Sequence, residues 1–229
     1  MAQVFHRSSN VVAKVSIVLL VLALPTVGAA GYFFNQSYTI NLNVPLEQPV
    51  PFSHKHHVGD DGIDCRFCHS TVEKSAFAGL PSTEVCMSCH SQIWRDSPLL
   101  EPVRESFRTR KPIQWERVHD LPDFAYFNHS IHIKKGVGCV SCHGRIDEMP
   151  LTMKTKDLTM AWCVDCHRNP AKALRPREKV FDLAWTPGDT SRHEEGQHAE
   201  SQEEIGRRLV VENHIMTPFQ LTNCSTCHR

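Results

Sequence analysis

The chain has 229 residues, in which 25 Lys and Arg balance 25 Asp and Glu, so the formal net charge at pH 7 is zero. This balance excludes the basic footprint of a nucleic-acid-binding protein, and we expect no nucleic-acid partner. Aromatic residues make up only 8% of the chain, whereas ten cysteines are present.

Residues 15–34 form an uncharged apolar stretch, VSIVLLVLALPTVGAAGYFF. Twenty helical residues span about 30 Å, the thickness of one hydrocarbon core. Basic residues precede the stretch, so the positive-inside rule keeps residues 1–14 in the cytoplasm and sends the rest to the periplasmic side of a bacterial cytoplasmic membrane. We expect an uncleaved single-pass anchor. A cleaved signal peptide is the alternative, because the strongest apolar run stops at Pro25 and small residues follow at 28–30.

All ten cysteines fall in five copies of the pattern Cys-x-x-Cys-His. This is the spacing of covalent c-type haem attachment, in which two thiols bind one porphyrin and the following His takes an axial position on the iron. Disulfide frameworks and zinc sites need no His after every second Cys. We therefore expect five covalently attached haem c groups. The attaching cysteines are Cys65, Cys68, Cys86, Cys89, Cys139, Cys142, Cys163, Cys166, Cys224 and Cys227, and the proximal ligands are His69, His90, His143, His167 and His228.

Beyond the apolar stretch, about 39 residues remain for each motif. A segment of that length rarely makes a hydrophobic core of its own. We therefore expect a mainly α and irregular fold with a haem-dominated core, short helices and long loops, in addition to the N-terminal transmembrane helix. The predicted segments are a linker at 35–51, a diheme module at 52–92, a connector at 93–120, a second diheme module at 121–170, a linker or loop at 171–213 and a fifth haem segment at 214–229.

Each diheme module begins with the pattern Phe-x-His-x-x-His, at residues 52–57 and 127–132. Residues three apart on a helical turn lie on one face. One iron with a proximal His has a single axial site left, so two neighbouring histidines suit two different irons. We expect the first His of each pair to bind the first haem of its own module and the second to reach another haem. The predicted distal ligands are His54, His57, His129 and His132.

A fifth distal ligand is required if every iron is six-coordinate. His119, which precedes the second module, is the strongest candidate. Met149 would instead supply a thioether, which raises the potential of a haem relative to bis-His neighbours. We interpret the acidic stretch around His193 and His198 as a solvated loop. Weaker ligand candidates are His56, His214 and Met153.

The paired histidines and attachment motifs resemble the cytochrome c3 and c7 class. A longer resemblance, carried by residues 115–132, 160–170 and 224–229, is to the pentahaem cytochrome c subunit of alternative complex III, a quinol-oxidising respiratory assembly. This resemblance implies a set of partners. They are an iron–sulfur subunit, polytopic quinol-binding membrane subunits, a monohaem cytochrome c and a downstream electron acceptor.

Three functions compete on these motifs. The preferred hypothesis is an electron-transfer subunit of a membrane quinol:acceptor oxidoreductase, with no substrate catalysis by this chain alone. A stand-alone anchored quinol dehydrogenase of the tetrahaem type usually carries Met two residues after the first motif His, where this chain has Thr71. A multihaem reductase for nitrite or hydroxylamine needs an open iron position. No motif here ends in Lys and distal candidates are ample, which disfavours the reductase.

The first prediction concerns haem content. The mass of the denatured, intact chain should equal that of the polypeptide plus five haems, because each complete motif attaches one haem through two thioether bonds. A mass that corresponds to three or four haems would contradict the interpretation of all five motifs as attachment sites.

Overall fold

The computed structural model describes residues 5–34, 41–188 and 200–228. They belong to two units, residues 1–42 and residues 43–229. Extended pairing among the described residues is limited to isolated bridges, such as Pro45 with Met153 and Val137 with Leu174. The prediction of a mainly α and irregular fold with one N-terminal apolar helix is therefore confirmed.

Helix α1 covers Ser9–Phe34, which is 26 residues with none of them buried. At about 1.5 Å per residue it is about 39 Å long, enough to cross a bilayer. It begins six residues before the predicted segment. Pro25 lies inside it and cannot donate a backbone hydrogen bond. The Thr26 hydroxyl donates to the carbonyl oxygens of Leu22 and Ala23, both at 2.9 Å. Length and composition make α1 a candidate membrane span, a test that a signal sequence also passes.

The second unit is built from short helices, most of which carry the attachment motifs. Three of the motif-carrying helices begin with a side-chain cap, in which Asp64, Thr159 or Asn223 accepts a backbone N–H group of the first turn. Each motif places its two cysteines one helical turn apart, with the His directly after the second. The helices are α2 Cys65–Cys68, α3 Thr83–His90, α4 Glu101–Thr109, α5 His129–Lys134, α6 Val140–His143, α7 Met160–Arg168, α8 Gln202–Glu212, α9 Pro218–Leu221 and α10 Cys224–Cys227. Single turns occupy Lys55–Asp60, Pro98–Leu100, Ile146–Glu148, Pro170–Lys172 and Arg177–Lys179.

A hydrophobic cluster lies in the segment that was predicted as a linker or loop, residues 171–213. Its buried members are Leu174, Trp185, Ile205 and Leu209. Helix α8 supplies two of them and starts with a capping box between Ser201 and Glu204. The described part of this segment is therefore packed structure. Ile205 and Leu209 have the i, i+4 spacing of one helical face, but Leu174 and Trp185 share no period with them, so the sequence pattern does not predict that the four residues pack together.

The second prediction concerns Gly206 in this cluster. A Cβ at Gly206 would overlap the carbonyl group of Ala171. Helix propensity alone would make Gly206→Ala stabilising by about 1 kcal/mol. Because the neighbour is backbone, we instead expect Gly206→Ala to lower the free energy of unfolding by about 1–3 kcal/mol, the cost of overpacking.

Denaturant unfolding of the haem-loaded chain measures this change. Arg207→Ala is the matched control, since Arg207 is the next residue of α8 and is exposed, and its effect should stay within about 0.5 kcal/mol. An unchanged or raised stability of Gly206→Ala would show that α8 does not pack this closely on the Pro170–Lys172 turn.

Candidate haem-binding sites

Four of the five motif histidines are held through the Nδ1 atom of the imidazole ring. The Nδ1 atoms donate to backbone carbonyl oxygens, and a carbonyl can only accept, so the proton must be on Nδ1 and the lone pair on Nε2. This is the arrangement that metal-ligating histidines require. The bonds run from His69 to Gly79 at 2.6 Å, from His90 to Ile93 at 3.0 Å, from His167 to Leu221 at 3.0 Å and from His228 to Phe124 at 2.9 Å.

The two Phe-x-His-x-x-His segments share one ring geometry. Phe52 meets the first His of its segment edge-on, at 4.9 Å between ring centroids and 87°, and stacks on the second at 4.5 Å and 23°. Phe127 meets the first His of its segment at 4.7 Å and 88°, and stacks on the second at 4.6 Å and 27°. The sequence repeat is therefore also a structural repeat, and the phenyl ring sets the angle between the two imidazoles.

The second His of each segment is oriented by its own turn. His57 Nδ1 donates to the carbonyl oxygen of Ser53 at 2.9 Å, and His132 Nδ1 donates to that of Asn128 at 2.7 Å. The first His of each segment is oriented by a distant residue. His129 Nδ1 donates to the carbonyl oxygen of Ala76 at 2.9 Å. His54 Nδ1 lies 2.9 Å from the hydroxyl of Thr152.

Three imidazole pairs have the spacing of trans ligands on a single iron. At metal–nitrogen distances of about 2.0–2.1 Å, the centroids of two trans imidazoles lie about 6 Å apart. In each pair one ring comes from an attachment motif and the other from a Phe-x-His-x-x-His segment. The pairs are His57 with His90 at 6.1 Å, His132 with His167 at 6.2 Å and His129 with His143 at 6.5 Å.

His119 stands out by a buried nitrogen without a partner. Its Nε2 atom is buried and has no hydrogen-bond partner, which in most proteins is costly. Coordination of this nitrogen to an iron would remove that cost. The ring centroid of His119 is 4.3 Å from that of His143, which is too close for the two to be trans on one iron. As iron ligands, His119 and His143 would therefore bind two different irons.

Burial keeps the central imidazoles neutral. It lowers the pKa of His54 and of His119 to about 4, and that of His143 to about 3, with neighbouring charges contributing less. Burial also raises the pKa of Cys139 and Cys142 to about 12. All ten cysteines lie in the described ranges, and none of them forms a disulfide. At neutral pH the imidazoles are thus in the unprotonated form that binds metals.

The other candidates occupy varied positions. Met149 is buried, 4% exposed, and its carbonyl oxygen accepts from Lys55 N at 3.0 Å. His56 is exposed and lies 3.5 Å from Asp61. The ligand roles of Met149, Met153 and His214 stay predictions. His193 and His198 lie outside the described residues.

Sequence reasoning did not find the groups that hold the histidines. Thr152 and the carbonyls of Ala76, Gly79 and Leu221 lie between 10 and 98 residues from the histidines they contact, and none of them belongs to a sequence motif. Backbone carbonyls carry no sequence signal, and only Thr152 is visible as a side chain.

The third prediction separates the two adjacent histidines of the first module. His57→Ala should open one iron, since His57 faces His90 with Nδ1 already bonded. Electron paramagnetic resonance should then show a high-spin signal from one of the five expected irons. His56→Ala is the matched control and should keep the wild-type low-spin spectrum. The reverse result, a high-spin signal in His56→Ala alone, would transfer the ligand role to His56.

The comparisons with known proteins agree with the motifs. No protein-family model matches the chain. Over 98 residues it is 42% identical to the menaquinone reductase multiheme cytochrome c subunit of Nitratidesulfovibrio vulgaris. The alignment covers 42% of this chain and 46% of that protein, so the chain spans about half the length of the curated relative it matches. Part of this chain is thus similar to a multihaem cytochrome c subunit of a quinone-linked complex.

Proposed function

We propose that this chain is an electron-transfer subunit that relays electrons through five c-type haems within a membrane quinol:acceptor oxidoreductase. The observation that carries the proposal is the set of three imidazole pairs with centroids 6.1–6.5 Å apart. Each pair would hold one iron through two protein ligands, which suits electron transfer and would leave no axial position for a substrate.

The residues present fit covalently bound haem. The ten cysteines would attach five porphyrins, and the motif histidines would take the proximal positions. His54, His57, His129 and His132 would supply four distal ligands, and the buried Nε2 of His119 supports it as the fifth. Bound haem c would supply reversible one-electron chemistry. The chain's own contribution is to hold each imidazole neutral and correctly oriented.

The membrane part of the proposal rests on α1. One mainly apolar helix of 26 residues supports a single-pass anchor, with the N-terminus in the cytoplasm and the haem-binding unit on the periplasmic side. A quinol pocket at membrane depth needs several helices to enclose it and to satisfy its polar groups. Quinone chemistry would therefore occur in partner subunits. By resemblance these are polytopic quinol-binding subunits beside an iron–sulfur subunit, a monohaem cytochrome c and a downstream acceptor.

Two assignments of the complex remain distinct candidates. The pentahaem resemblance places the chain in an assembly of the alternative complex III type, where electrons leave quinol. The 42% identical relative carries the name of a menaquinone reductase, and by that analogy electrons would run toward the quinone. The relay role of this chain is the same in both.

The fourth prediction tests the relay role. The anchored, fully haem-loaded chain, purified alone in detergent, should be reduced completely by dithionite but slowly or not at all by menaquinol or ubiquinol analogues. Addition of the other membrane subunits should restore rapid reduction. Rapid reduction of the isolated chain by quinol would refute the relay role and identify a stand-alone quinol dehydrogenase.

The same subunits, assembled into the complete complex, allow the direction of electron flow to be measured. With the complete complex, haems reduced by quinol support the quinol-oxidising assignment. Pre-reduced haems that are oxidised by added menaquinone support the menaquinone-reducing assignment.

A further inference from the structure

Among the predicted iron ligands, His54 is anchored by a side-chain hydroxyl, whereas seven others are anchored by backbone carbonyls. Seven imidazoles donate from Nδ1 to backbone carbonyl oxygens. His54 instead meets the Thr152 hydroxyl, at 2.9 Å. A carbonyl fixes the tautomer because it can only accept, whereas a hydroxyl can donate or accept. Only the accepting hydroxyl leaves the lone pair of His54 on Nε2, where an iron can bind.

The segment that carries Thr152 is hydrogen-bonded to residues that precede His54 in the chain and to the residue that follows it. Met153 forms a bridge with Pro45, and Asn43 N donates to the carbonyl oxygen of Lys154 at 2.7 Å. After His54, Lys55 N donates to the carbonyl oxygen of Met149 at 3.0 Å. These backbone bonds fix where the Thr152 hydroxyl stands relative to the imidazole of His54.

We propose that Thr152 is a positioning residue for His54: its hydroxyl accepts the Nδ1 proton and directs Nε2 to the iron, so that the second module sets a distal ligand of the first. The proposal rests on the proposed function, because it requires that His54 bind a haem iron. Thr152 does not itself touch the iron.

The first histidine of the second module is in turn held by a residue of the first module. The first His of the second module, His129, donates from both its backbone N and its Nδ1 to the carbonyl oxygen of Ala76, at 3.1 and 2.9 Å. Ser130 N donates to the carbonyl oxygen of Ser75 at 3.1 Å. Ala76 follows the first attachment motif, and Thr152 follows the third. Each module therefore holds the first histidine of the other.

The hydrogen bond between His54 and Thr152 would also change the redox potential of the haem iron that His54 binds. A hydrogen bond accepted from Nδ1 raises the basicity of an iron-bound imidazole, and a more basic ligand favours the ferric state. Removal of the Thr152 hydroxyl should therefore raise the midpoint potential of the haem that His54 binds and loosen the ring. The other haems keep their carbonyl anchors and should not change.

The fifth prediction compares three variants of the full haem-loaded chain. Thr152→Val removes the acceptor at nearly constant volume, and Thr152→Ser retains it. Thr155→Val is the control within the same segment, because the Thr155 hydroxyl is buried without a partner. We expect Thr152→Val to shift the low-spin electron paramagnetic resonance signal and raise the midpoint potential of a single haem. Thr152→Ser and Thr155→Val should match the wild type.

The outcomes separate this proposal from the proposed function. A wild-type chain without low-spin haems overturns both. A wild-type chain with five low-spin haems and an unchanged Thr152→Val spectrum overturns the positioning role alone. If Thr152→Val loses a haem on purification, Thr152→Ser decides: retention of all haems supports the positioning role, and an equal loss overturns it.

Discussion

The second unit depends on one constraint, that an imidazole fixed through one ring nitrogen presents the other in a defined direction. The anchoring carbonyls are often remote in sequence. His167 is held by Leu221 and His228 by Phe124, 54 and 104 residues away. Because these two bonds join motif histidines to distant segments, they orient the imidazoles and also help to assemble the fold.

The side-chain core has a limited extent. Leu174, Trp185, Ile205 and Leu209 form a buried cluster in the C-terminal half, where a short chain can stabilise itself by ordinary packing. Near the attachment motifs, large apolar residues stay exposed, for example Phe67 at 55% and Ile93 at 58%. Apolar surface of this kind would suit contact with the porphyrins that the motifs are proposed to attach.

Much of the candidate site could be predicted from the sequence, because covalent chemistry and short repeats fix local spacing. The repeat at 52–57 and 127–132 predicted paired histidines, and the structure gives both pairs the same ring geometry. The packing among the described residues of 171–213 and the anchors of His54 and His129 could not be predicted. They arise from tertiary contacts between residues that are far apart in sequence. The six extra residues of α1 carry no continuous apolar signal, although they form helix.

The contrast between a hydroxyl and a carbonyl as anchors has a consequence for how such a protein can evolve. A point mutation changes a side chain and leaves the peptide carbonyl in place, so the orientation of seven imidazoles is shielded from most single substitutions at their acceptors. At His54 the acceptor is a side chain encoded by one codon. Selection can therefore adjust or abolish this one anchor without rebuilding the backbone, which makes position 152 a point where related chains can diverge in the redox behaviour of a single haem.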